Sequence, residues 1–98
     1  MRVTIRKKRW ELVFRNLRNQ KRRGYCEAPH EKGKEIVVDS RLRGQERIEV
    51  ILHELIHSAH YSLLDEEFVE TTARDISRVL FQLGYRAHDE REERDDEE

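Results

Sequence analysis

One cysteine, one proline and four glycines are all this 98-residue sequence holds of the residues that staple or break a chain, and aromatic residues make up only 7% of it. With Cys26 alone no internal disulfide can form, an oxidising compartment has nothing to act on, and a cytoplasmic location is expected. No apolar run approaches the roughly 20 residues of a membrane helix. The basic opening MRVTIRKKRW lacks a following apolar stretch, so neither a membrane span nor a secretory signal is expected. A chain this small buries only about two-thirds of its unfolded surface, which leaves a thin core. Without disulfides, a bound metal ion is one of the few staples left to it.

Charge is plentiful instead. Charged residues make up 42% of the sequence for a net charge of -1, unevenly placed: residues 1–23 hold ten Lys/Arg and one acid, residues 89–98 eight acids and two arginines. The two ends should attract each other. A basic segment can be the footprint of a nucleic-acid site, but a basic strand face balanced by an acidic tail accounts for it more simply.

RVTIRKKRWELVFRN alternates apolar and charged residues around Val3, Ile5, Trp10, Leu12 and Phe14, the period-two signature of half-buried strands, with a hairpin turn at 6–9. NQKRRG reads as a loop. GYCEAPHEKGK is a short strand and turn punctuated by Gly24, Pro29 and Gly33, and KEIVVDS is a further strand ending near Asp39. From Gly44 the period changes to that of a helix, running to about residue 61 with its main apolar stripe on Ile48, Leu52, Leu55 and Ala59. SLLDEE connects it to a second helix with Asp65 as N-cap, the stripe Val69, Ala73, Ile76, Leu80 and Leu83, and Gly84 as C-cap. The expected fold is α+β: an antiparallel or mixed sheet of three to four strands, then two helices, in one domain over residues 1–87. The segment HDEREERDDEE has no hydrophobic residue, and 88–98 is expected to be an acidic, disordered tail.

The chemistry concentrates in ILHELIHSAH, residues 51–60. On a helix His53 and His57 lie one turn apart on one face, so both imidazoles can converge on one Zn²⁺. Glu54 is displaced by about 100° around the axis, off the metal and beside a metal-bound water, where it can act as general base. A catalytic zinc site needs a third protein ligand. His60 is too far along the helix from His53 to share the ion. Glu66, Glu67 and Glu70 lie on the second helix; Glu67 projects away from the apolar stripe, whereas Glu66 and Glu70 flank it in line with the small residues Ala73 and Ser77. In an antiparallel helix pair the axial level of His57 falls nearest Glu70, with Glu66 the close alternative.

HELIH on a helix, preceded by the strand KEIVV and followed by a glutamate-bearing helix, resembles the gluzincin branch of the zincin metallopeptidases. The succession GYC, KEIVV, LRG, HELIH, DEEFVE and FQLGYR is similar to short metallopeptidases of phage and bacterial genomes. The resemblance implies zinc held by His53, His57 and a glutamate of the next helix, with Glu54 as base in peptide-bond hydrolysis. Two features depart from thermolysin-like members. The connection between the helices is far shorter, and the C-terminal subdomain that carries the carbonyl-polarising residues has no counterpart, leaving Tyr61, Tyr25 and His60 as substitutes. Cys26 is read as a small buried side chain rather than a thiolate ligand. A peptide or protein substrate is expected, aligned by the free edge of KEIVVDS. The other readings are a zinc-stabilised module that binds nucleic acid through the basic strands, and an inactive regulatory or phage assembly protein on the same scaffold.

Overall fold

A computed structural model describes residues 1–28, 33–60 and 65–87. The expected acidic tail at 88–98, Pro29, Tyr61 and most of the inter-helix connection lie outside the described residues. Six main elements follow in chain order: β1 (Arg2–Ile5), β2 (Lys8–Arg15), β3 (Gly24–Cys26), β4 (Glu35–Asp39), α1 (Gly44–Ala59) and α2 (Glu66–Gln82), with a short 3₁₀ turn at Arg18–Gln20. The architecture is α+β, a four-stranded mixed sheet in the order β1-β2-β4-β3 followed by two helices. No helix among the described residues is long and apolar enough to cross a membrane.

The hairpin turn is tighter than the charged run suggests. Only Arg6 and Lys7 form it, both at positive φ (48° and 68°), as the two-residue turns that match strand twist require. Lys8 and Arg9 already pair with Ile5 and Thr4. Neither turn residue is glycine or asparagine, so the turn carries side-chain strain that those residues would relieve.

β4 is an interior strand, running parallel to β2 on one side and antiparallel to β3 on the other. This corrects the expectation of a free edge on KEIVVDS: among the described residues the unpaired edge at that end of the sheet belongs to β3. Three consecutive residues, Ile36, Val37 and Val38, are fully buried. Ile36 and Val38 join Trp10, Leu12, Leu42 and Val50 in the core between sheet and α1. Val37 points the other way, level with Val13 and Tyr25, and that face is roofed by Arg15, which pairs with Glu35 at 3.1 Å and reaches the Tyr25 hydroxyl at 3.4 Å.

The helix phases also differ from the sequence reading. The buried positions of α1 are Arg47, Ile48, Val50, Glu54 and Ser58, so the side carrying Val50 and Glu54 is the one pressed inward. Leu52 and Leu55 instead wall an apolar groove with Met1, Val3, Phe14 and Leu80. On α2 the buried line is Val69, Ala73 and Ser77, leaving Ile76 at 42% and Leu83 at 69% exposure. Small side chains on that line let the helices approach closely. Asp65 caps α2 by accepting from Phe68 N–H at 3.1 Å. Gly84, at φ +97°, ends it by turning the chain so that Tyr85 N–H returns to Leu80 O.

Asp39 ties the end of β4 to its surroundings. Its carboxylate, 2% exposed, accepts from the backbone N–H of Leu17 (3.4 Å) and Arg41 (3.0 Å) and from the Arg41 guanidinium (2.7 and 3.1 Å). Burial pushes this carboxyl up, but the hydrogen bonds from Arg41 and Leu17 outweigh it and hold it below the ordinary carboxylate value. Asp39→Ala should therefore cost about 2–3 kcal/mol at pH 7, because it strips a buried N–H of its acceptor. A carboxyl lowered in the folded state contributes fully above its unfolded pKa of 3.8 and loses that contribution as pH falls through the folded value. Urea denaturation should accordingly show the gap between Asp39→Ala and the parent closing below about pH 4.

Candidate metal centre

The site begins at the passage of β3 beneath α1. A Cβ on Gly24 would lie 2.8 Å from Val37 O, 2.9 Å from Val50 Cγ1 and 3.4 Å from Glu54 Cγ, so only glycine allows strand and helix to come this close. The approach buries Glu54 to 7% exposure. It also sets the rotational phase of α1, turning His53 and His57 toward α2. Their rings stand 4.9 Å apart, centroid to centroid, tilted by 57°.

Glu66, the first residue of α2, meets both imidazoles. His53 Nε2 lies 2.9 Å from Glu66 Oε1 and His57 Nε2 3.0 Å from Glu66 Oε2. Among the described residues these three form a group able to hold a metal ion, with one ligand atom from each all within 4.8 Å of one another. This corrects the expectation that Glu70 lies nearest the histidines: the structure brings them the alternative, Glu66. The helix α1 ends at Ala59 rather than residue 61, which moves the level of His57 about 3 Å toward the first turn of α2. Glu70, one turn deeper, pairs with Arg74 at 3.4 Å instead.

The donor set suits a metal. Four-coordinate zinc, with bonds near 2.1 Å, holds neighbouring ligand atoms about 3.4 Å apart. The observed spacings of 2.9 and 3.0 Å, each to a different oxygen of Glu66, lie a little below that, and one atom from each of the three residues lies within 4.8 Å of the others.

Glu54 does not join the trio but faces the same cavity of about 390 Å³, walled by Gly24, Tyr25, Cys26, His53, His57 and Glu66. No hydrogen-bond or ion-pair partner holds its carboxylate among the described residues. Burial pushes this carboxyl up, the Glu66 charge adds to the effect, the Arg22 and Arg23 charges oppose it, and it comes to about 7.

The other candidates fall away from the centre. The Tyr25 hydroxyl is engaged by Arg15 at 3.4 Å, on the opposite face of the sheet. His60 is the C-cap of α1, its N–H returned to Ile56 O at 3.3 Å, and Glu67 is exposed. The Cys26 thiol lines the cavity, donates to Glu27 O at 3.4 Å, and is pushed up to about 12 by burial, with the Glu54 and Glu27 charges adding to it. It is a neutral wall residue and no member of the metal-capable group.

Searches of family models, curated proteins and solved structures find no match to this chain.

Sequence reasoning missed Gly24, Arg22 and Arg23 at this site. The first had a signal, since an isolated glycine beside a strand marks a close backbone approach; the arginines were lost in a long basic segment.

Two outcomes follow. A divalent cation held by this group should, at about 100 times its Kd, stabilise the protein by about 2.7 kcal/mol; thermal unfolding and metal analysis should show the gain abolished in His57→Ala and Glu66→Gln and retained in Glu70→Gln. Gly24→Ala should cost about 1–3 kcal/mol by prising β3 from α1; urea denaturation beside zinc titration should show both stability and metal affinity falling.

Proposed function

We propose that the protein is a zinc-dependent metallopeptidase in which His53, His57 and Glu66 hold the cation and Glu54 is the general base. The observation that carries this reading is the Glu54 carboxylate, buried, without a partner among the described residues, and facing the cavity that the three donors share. A metal kept only for stability would have no use for it, because burying an unpaired charge opposes folding. Two imidazole nitrogens favour zinc over magnesium or calcium, which prefer all-oxygen sites.

A divalent cation here supplies Lewis acidity toward a carbonyl oxygen and a means of ionising water near neutral pH. The chain's own residues do the rest. Glu54 accepts the proton of the attacking water and passes it to the departing amine as the C–N bond breaks. Without a cation this carboxyl comes to about 7, and a bound cation would lower it toward the ionised form that accepts a proton. Packing of Glu54 against β3 keeps bulk water from its flank, and relief of the Glu66 repulsion by the cation makes it a ready acceptor. The unpaired edge of β3 offers backbone hydrogen bonds to an extended peptide, which would enter as an added strand along the cavity wall. A peptide or protein in the cytoplasm is the substrate under this reading, and the unpaired Cys26 is consistent with that setting.

Glu54→Gln should retain the parent's zinc content while peptide hydrolysis falls by about 10²- to 10⁴-fold. Metal analysis and initial rates on the same preparation check this, and undiminished turnover would rule out Glu54 as the base.

A further inference from the structure

Beside the metal cavity lies a smaller one of about 150 Å³, lined by Arg23, Gly24, Val50, His53 and Glu54. Gly24, His53 and Glu54 line both, so the two spaces are neighbours, with Arg23 in the wall of the smaller. Arg22, next along the chain, lines neither space and stacks on the Tyr25 ring instead, but its charge, like that of Arg23, acts on Glu54.

Both arginines are poised for an outside anion. Arg22 donates from Nε and Nη2 to Gln20 Oε1 at 3.2 and 3.0 Å, and its Cζ sits 3.8 Å from the centroid of the Tyr25 ring. These contacts hold the planar fork in place without neutralising it, and no carboxylate pairs with it among the described residues. Arg23 Nη1 lies 2.8 Å from Glu46 Oε2, but both side chains are about half exposed. Such a pair contributes under about 1 kcal/mol and yields readily to another carboxylate. Of the other acids near β3, Glu27 is turned to accept from Glu35 N–H at 2.9 Å. With a divalent cation balancing Glu54 and Glu66, the two arginines leave the site net positive.

Resting on the peptidase reading, we infer that the substrate is a peptide presenting a carboxylate near the scissile bond, bound there by Arg23 with the charge of Arg22 behind it. A peptide paired with the free edge of β3 runs past both arginines at the N-terminal end of that strand. The carboxylate belongs either to an acidic side chain or to the peptide's own C-terminus, and blocking the termini separates the two.

Zinc-loaded Glu54→Gln protein, as a non-turnover trap, is titrated with fluorescent peptides of one sequence in three forms. One has glutamate scanned through the positions and both termini blocked, one has glutamine there with both termini blocked, and one has glutamine with a free C-terminus. At least one carboxylate form should bind about tenfold tighter than the neutral form, the gain of one charge-assisted contact. Adding Arg22→Gln and Arg23→Gln, both at exposed positions, should cut that advantage to under about twofold; Arg6→Gln with Lys7→Gln at the hairpin tip should preserve it. Equal binding of all forms, no saturable binding, or an advantage that survives loss of both arginines overturns the inference. Cleavage by the unmodified protein is scored separately: preference without cleavage removes the peptidase reading and leaves carboxylate recognition standing, while cleavage without preference does the reverse.

Discussion

The backbone of β3 runs so close to α1 at Gly24 that Val37 O and Val50 Cγ1 would both stand within 3 Å of any Cβ placed there. That contact decides which side of α1 is pressed inward. Once Val50 and Glu54 face the strand, His53 and His57 are carried around the axis toward α2, and the metal-capable trio can form only with a side chain from that helix. The short residues Ala73 and Ser77 on the facing line of α2 bring it near enough for Glu66 to span both imidazoles.

Electrostatics then gives the site its character. Two carboxylates, Glu54 and Glu66, converge on one cavity with no cation of the protein between them, and the mutual repulsion together with burial keeps Glu54 half protonated near neutrality. A divalent ion among the imidazoles and Glu66 would relieve both strains at once. Arg22 and Arg23 moderate the field from the rim, and the neutral Cys26 thiol adds no competing charge. The same groups that make the ion-free arrangement costly would make the loaded one favourable, a coupling of folding to metal uptake common in small domains.

The rest of the molecule serves this geometry with a thin core. Six buried hydrophobic side chains form the central cluster, and the charged residues secure much of the remainder: Arg15 with Glu35 roofs the outer sheet face, Asp39 gathers the chain at the end of β4, and Arg47 lies buried with its Nη1 on the carbonyls of Ser40 and Leu42. In a chain with 42% charged residues, part of the stabilising work passes to charges with fixed partners, Asp39 and Arg47 among them buried.

The element order, the α+β class, the Asp65 cap and the placing of His53, Glu54 and His57 on one helix were legible in the sequence, because periodicity, capping and i,i+4 spacing act within a few residues. The interior place of β4 was not, since strand order depends on a crossover that no local pattern encodes. Nor were the buried faces of the helices: Ile76 and Leu83 look like core residues and lie exposed, while Val50 and Glu54, off the expected apolar stripe, lie buried. Glu66 and Glu70 both satisfied the local pattern, and a difference of two residues in where α1 ends moved His57 to the level of the first. Local rules determined which residues carry the chemistry; the packing of two helices and one strand glycine's clearance beneath the first of them decided which of them meet, because distances between elements arise from packing that no single segment contains.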